Sequence, residues 1–214
     1  MRAMRFPLLL LVAAMGVPIP AEARSQAGDD CLARLDELAV AYRPAGPLQG
    51  VREPVEVLGP LGGVEYRAFG RPRPLILDCS LVYSLALAGR YFVDEGLRVA
   101  IFSDSYHRRF VRGTDRWSKH SFGLALDVHV FEDPSHPDRK ITVEKDYQRG
   151  LGRGKDCIGH PGDSRARSLR MIWCRMARSE LFRMVLDPDF DADHRNHFHI
   201  QAPAWEERSD LAWR

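Results

Sequence analysis

The chain has 214 residues, with 31 Lys and Arg against 29 Asp and Glu, a formal net charge of +2 and 45% hydrophobic residues. Charge so close to balance argues against nucleic acid or an anionic membrane surface as the main partner. A chain of this size holds one domain with an adequate core, and it contains no apolar run of the ~20 residues needed to span a bilayer.

At the start, Arg2 and Arg5 form a basic stretch and Phe6 to Val17 a short apolar run, ended by Pro18 and Pro20. Ala21-Glu22-Ala23 is an A-x-A cleavage site, so the pattern predicts an export signal over residues 1–23 and a periplasmic or secreted domain over 24–214. Its removal takes two basic residues and one acidic residue, which leaves the charge near zero. Cys31, Cys79, Cys157 and Cys174 remain, and an oxidising compartment predicts two disulfides. Of the three pairings we favour Cys31 with Cys79 and Cys157 with Cys174, because each staples one segment to a nearby helix. A cysteine zinc site would need a C-x-x-C spacing that this chain lacks.

Asp29 to Tyr42 opens on two candidate N-caps and spaces Leu32, Leu35, Leu38 and Val40 as a helix does. Arg43 to Pro74 is rich in Gly and Pro, with Val55, Val57, Val64 and Tyr66 suggesting short strands or extended loops. Leu81 to Val93 reads as a second helix closed by Gly96, and Leu97 to Phe102 as a buried strand. That strand delivers a polar segment, Ser103 to Arg109, to its exit, where functional groups are often displayed. In Leu124 to Phe131 the apolar Leu and Val positions alternate with Ala125, Asp127, His129 and Phe131, so one face of a strand packs inward and the other presents Asp127. Ile141 to Gly162 is a polar surface excursion, Ser168 to Val185 a helix, and Phe198, Ile200 and Ala202 mark a last strand. The expected fold class is α+β, a small mainly antiparallel sheet with flanking helices.

Two segments carry the chemistry: Ser118-Lys-His120-Ser-Phe-Gly123-Leu-Ala125-Leu-Asp127 and His194-Arg-Asn-His197-Phe-His199. Residues two apart on a strand share a face, so one of His197 and His199 can bind a metal while the other addresses a water beside it. His120 comes from a loop, and Gly123 permits the sharp turn that brings it to Asp127. Two neutral imidazoles and a carboxylate make an open donor set suited to Zn2+, and a further imidazole can take a proton at neutral pH. Any one histidine alone is more often a surface or satisfied core residue; four imidazoles with a matching carboxylate in two spaced segments shift the balance to metal.

The pattern Ser-x-His-x-x-Gly-x-Ala-x-Asp followed by His-x-His resembles the LAS-type zinc peptidases, which include D-Ala-D-Ala carboxypeptidases, murein endopeptidases and the hedgehog domain. Over about residues 31 to 202 the chain is similar to the bacterial extensin-like C-terminal domain family, through Cys79 before a helix, Ser105-Tyr106 before an arginine, the Cys174 helix and Asp187 to His199. The resemblance implies a hedgehog- or peptidase-like fold, His120, Asp127 and His199 as zinc ligands, His197 as general base and a supporting role for His194. It also implies an arginine for the oxyanion at Arg108 or Arg109, with Arg109 preferred; extensin-like members often carry a cysteine where Arg108 stands. An acidic base precedes the last ligand in the carboxypeptidases, whereas His197 fills that place here, so the implied activity is endopeptidase action on peptidoglycan stem peptides or crosslinks.

The rival reading is a zinc-bearing cell-wall binding module without hydrolysis, as the hedgehog branch implies. His129 shares the Asp127 face and is either a supporting or a purely structural residue, while His107, His136 and His160 are expected on the surface. The run Asp187, Asp189, Asp191 and Asp193 lacks the glycine and terminal Glu of a calcium loop and reads as a turn orienting His194. Trp117, Trp173, Trp205 and Trp213 could line a glycan groove, with core or edge packing as the default.

Overall fold

The computed structural model describes residues 31–151, 157 and 159–208, all within one unit that begins at Cys31. The predicted export signal and Trp213 lie outside the described residues. The fold is α+β, and it starts with a shorter helix than the periodicity suggests. Helix α1 (Cys31–Glu37) stops because Ala39 adopts a left-handed φ of 51°, with Val40 N–H bonded to the Leu35 carbonyl and Ala39 N–H to that of Asp36. That is a capping turn that satisfies the last carbonyls and swings the chain into a strand.

Three short strands, β1 (Tyr42–Pro44), β2 (Pro54–Val57) and β4 (Leu75–Asp78), make an antiparallel sheet in the order β1-β2-β4, while β3 (Glu65–Ala68) joins the larger sheet. The sequence predicts no strand over Leu75–Asp78, because four apolar-rich residues between a proline and a helix carry too little pattern. Asp78 ends β4 and begins helix α2 (Cys79–Val93), its carboxylate accepting the Ser80 N–H at 2.9 Å. Helix α2 is buried through Leu81, Leu85, Ala88 and Phe92, as its spacing predicts.

The larger sheet runs in the order β3, β5 (Val99–Asp104), β6 (Ala125–Glu132), β9 (Phe198–Gln201), β8 (Met184–Leu186), with β7 (Lys140–Thr142) also paired to β6. Strands β3 and β5 are parallel and the other pairs antiparallel. Phe92 of α2 meets Phe131 at 5.5 Å and Phe131 meets Phe198 at 6.0 Å, so the core lies between this helix and the sheet.

Phe131 corrects the simple alternation expected of β6, which grouped it with Asp127. Across β5 and β6 the register passes from Ile101↔Val130 to Phe102↔Val128, then to Asp104↔Asp127, leaving His129 and Ser103 each without a partner. Each is a bulge, and a bulge shifts the inward-outward sequence by one residue. The two bulged side chains bond to each other, Ser103 Oγ to His129 Nε2 at 2.6 Å. Below them Phe131 therefore turns into the core, while above them Asp127 faces the opposite side from Leu126 and Val128.

Past β7 come a single helical turn, α3 (Val143–Asp146), and helix α4 (Ser164–Arg178). Helix α4 begins before the expected Ser168 because the Asp163 carboxylate caps Arg165 and Ala166 N–H at 2.8 and 3.0 Å. It ends short of Val185 because Met184–Leu186 pairs with β9, the pairing overriding a helical spacing. Both favoured disulfides, Cys31–Cys79 and Cys157–Cys174, are formed, closing sequence separations of 48 and 17 residues. By loop-closure entropy they contribute about 4 and about 3 kcal/mol. Among the described residues no helix is long and apolar enough to cross a membrane.

Candidate metal centre

Asp127 and His199 stand directly opposite each other in the antiparallel β6–β9 ladder, so their meeting follows from strand register. His120 reaches them from a 3-10 turn, Lys119–Phe122, that begins with the Ser118 side chain accepting the His120 N–H. The turn ends at Gly123 with φ 65°, where an added Cβ would lie 2.7 Å from the Asp78 nitrogen. The Gly123 carbonyl accepts that same Asp78 N–H at 3.0 Å, so the turn is docked on the start of α2 and only glycine fits.

The nitrogen and oxygen donors of His120, Asp127 and His199 lie within 4.8 Å of one another. His199 Nδ1 is 2.8 Å from Asp127 Oδ1 and His120 Nε2 is 3.3 Å from Oδ2. On its other side His120 Nδ1 donates to the Ser105 carbonyl at 2.7 Å, which fixes the tautomer and turns the Nε2 lone pair toward the carboxylate. Despite its closeness to Asp127, buried His120 Nε2 has no partner of hydrogen-bond geometry among the described residues. An acceptor nitrogen held this way beside a carboxylate and a second imidazole fits a cation, and the donor types fit zinc.

The rest of the histidine cluster is close by. His197 sits one residue before β9, its Nε2 3.5 Å from Asp127 Oδ1, and its Nδ1 is 2.8 Å from the side-chain oxygen of Asn196. That bond leaves Nε2 as the basic nitrogen. The His194 ring lies 5.2 Å from His197 and 5.6 Å from His199, and its Nδ1 is held by Asp191 at 2.6 Å. Arg109 is set apart from these groups: its guanidinium pairs at 3.0 Å with Asp104, whose carboxylate is 4.0 Å from His120 Nδ1, the side away from Asp127. Arg108 instead lies over the Trp117 ring.

Several supporting residues were not singled out from sequence. Asn196 orients His197, Ser105 orients His120, and Ser103 holds His129, whose ring is 5.0 Å from that of His197 and also bonds the Asn196 backbone. The signal for them was faint: polar residues beside a motif or at a strand exit. The acidic run is a turn, as expected. Asp191 accepts the Asp193 and His194 N–H groups, Asp193 pairs with Arg112, and buried Asp187 takes the Tyr147 hydroxyl at 2.5 Å. His107, His136 and His160 are exposed.

Electrostatics split the histidines. Burial alone pushes His120 toward the neutral form, but Asp127, then Asp104 and the Ser105 carbonyl, outweigh it and raise its pKa. Burial likewise opposes charge on Asp127, yet His120 and His199 hold the carboxyl well below its usual range. Burial lowers His199, and it pushes His197 down to about 4, helped by the neighbouring His129, His194 and His199.

These shifts set a pH dependence for protein stripped of metal. His197 and His199 bind protons less readily folded than unfolded, so acidification below the ordinary histidine value of 6.5 favours the unfolded chain. His197 alone would remove about 3 kcal/mol between 6.5 and its folded value. His120 has the opposite sign: its contribution is complete below the unfolded value and lost as pH rises through the folded one. Urea unfolding in chelator should show a lower midpoint at about pH 4.5 than at about pH 6.5; an equal or higher midpoint would contradict the placement of these rings.

Residues 82–210 match the family described as the extensin-like protein C-terminus. No curated protein and no solved structure matches the chain. The match spans more than half of the sequence and contains every residue of the histidine cluster, and the chain belongs to the extensin-like C-terminus family.

Proposed function

We propose that this chain is an exported zinc metallopeptidase of the LAS type that hydrolyses peptide bonds in peptidoglycan stem peptides or crosslinks. The observation that carries the reading is the largely buried His120–Asp127–His199 donor set, with an orphaned imidazole nitrogen, beside a third imidazole, His197, that is neutral at working pH. A purely structural zinc site uses four protein ligands; three leave room for chemistry.

His120, Asp127 and His199 would hold the ion, which when bound supplies Lewis-acid polarisation of a carbonyl and acidifies water at the site. His197 accepts the proton of the attacking water at Nε2, because Asn196 keeps Nδ1 engaged as a donor. His194 gives its Nδ1 proton to Asp191, so it would stabilise the developing oxyanion only as the imidazolium, with Nε2–H as the donor. Arg109 is half-exposed and pairs with Asp104 on the side of His120 away from Asp127, so it would meet a substrate carboxylate there rather than the oxyanion. Export agrees with both disulfides being formed, since such bonds persist in oxidising compartments.

The test is metal analysis of the purified protein followed by incubation with intact peptidoglycan. We expect one zinc per chain and new muropeptides, with release stopped by chelation and restored by zinc. A zinc-loaded protein that releases no muropeptides or amines would favour the cell-wall binding module.

A further inference from the structure

His197 stands outside the ladder that fixes its neighbours. Strand β9 begins at Phe198, so the donor His199 is held by strand pairing, whereas His197 makes a long backbone bond of 3.4 Å to the His194 carbonyl. A proton acceptor carried on a turn needs another means of keeping its ring in place, because a shift of about 1 Å at a reacting group costs ~10²-fold in rate.

The neighbouring strands supply one. Along one edge of β6, β9 pairs up to Val128↔Phe198 and β7 takes over from Val130↔Thr142, so His129 falls in the gap between two partners. On the other edge it is the bulged residue beside bulged Ser103. Its side chain takes over where the backbone pairing stops. Ser103 Oγ lies 2.6 Å from His129 Nε2, and the ring also bonds the Asn196 backbone. In the neutral ring both contacts are met when Nε2 accepts from the Ser103 hydroxyl and Nδ1–H donates to the Asn196 carbonyl. Asn196 in turn accepts the His197 Nδ1 proton on its side-chain oxygen at 2.8 Å, and the His129 and His197 rings lie 5.0 Å apart at 35°. At the far end of this chain of contacts the Ser103 carbonyl accepts from the Arg73 guanidinium.

The geometry points to His129, held by Ser103, as the positioning residue of the proton acceptor: it pins the Asn196 backbone and packs the His197 ring so that Nε2 stays turned toward Asp127, an inference that rests on the peptidase reading above. Packing alone does not account for the arrangement, since the His129 ring is only partly buried and both of its nitrogens are engaged by polar partners.

Two readouts on the zinc-loaded full chain test this role. In nitrogen NMR spectra of histidine-labelled protein, wild-type His197 should show a single ring form protonated at Nδ1. His129→Phe, which keeps the ring stack but neither bond, should mix in the Nε2-protonated form. With soluble peptidoglycan fragments as substrate, the same variant should keep its zinc and its KM while kcat falls ~10-fold, less than the loss expected on removing His197 itself. His129→Gln, whose amide offers one acceptor and one donor, should recover most of both signals and guards against misfolding. In a His197→Gln background His129→Phe should cost nothing further, since a residue that acts through another is silent once that other is gone. An unchanged His197 ring form in His129→Phe, or a ~10-fold loss that persists in the His197→Gln background, would overturn the proposal. A wild type that cuts nothing while its His197 ring form responds to His129→Phe refutes the peptidase reading alone; one that cuts equally well with and without that substitution refutes the positioning role alone.

Discussion

Replacing Asp127 with asparagine should empty the candidate centre of zinc and reduce hydrolysis to background. Its carboxylate lies among three imidazoles, at 2.8 Å from His199, 3.3 Å from His120 and 3.5 Å from His197. Asparagine keeps the volume but removes the charge that would offset the cation, and it places amide hydrogens where lone pairs are needed. Losing an outer partner of a ligand costs ~10–100-fold in metal affinity, and losing a ligand costs more. The change also acts on the metal-free fold. Asp127 raises the His120 pKa against the pull of burial, and the two imidazoles hold the Asp127 carboxyl well below its usual range, so removing that charge takes away their mutual stabilisation. Breaking such a buried pair by removing one member costs about 3–5 kcal/mol. Two measurements check this: zinc content after dialysis, and melting temperature with and without added zinc. Wild type should gain about 4 kcal/mol at a thousandfold excess of zinc over its dissociation constant, and the variant should gain nothing. An asparagine variant that keeps stoichiometric zinc would remove Asp127 from the ligand set.

The elements that carry the candidate metal donors were legible in sequence because their signals were strong and local. A strand with alternating apolar residues placed Asp127, a second one placed His199, and a glycine after Ser118-x-His120 marked the turn; in the structure these three side chains meet. Both disulfides were also readable, from the rule that each pairs a segment with a nearby helix. What could not be read depended on partners distant in the chain. The paired bulges at Ser103 and His129 arise from a mismatch between two strands, and a single strand's periodicity carries no trace of it. Simple alternation therefore puts Phe131 on the face of Asp127, whereas the bulges turn it into the core. Met184–Leu186 has helical spacing and becomes a strand only because β9 is there to pair with it. Asn196 was invisible as an orienting group because its value lies in one rotamer beside His197.

Replacing His197 with glutamine should leave zinc bound and lower the turnover number. The side chain touches Asp127 only at 3.5 Å and is not needed to complete the donor set, so metal content and melting temperature should stay close to wild type. General-base catalysis is worth ~10²–10⁴-fold, and the gain is greatest when the pKa of the base is near the working pH. Burial pushes His197 down to about 4, which makes it a ready but weak acceptor; the expected loss is therefore toward the lower end, ~10²-fold. The same displacement fixes the shape of the pH profile. Because His197 is already deprotonated well above its folded value, it adds no acid limb between about pH 5 and pH 8, and the glutamine variant should run parallel to wild type across that range. Asn196→Ala should produce a smaller loss of the same kind, since it frees Nδ1 and lets the ring turn without changing its chemistry. Muropeptide release measured at saturating substrate with zinc content assayed in parallel separates these outcomes. Full activity in a zinc-loaded His197→Gln protein would transfer the proton-accepting role to His194, whose ring is 5.6 Å from His199 and whose Nδ1 is already held by Asp191.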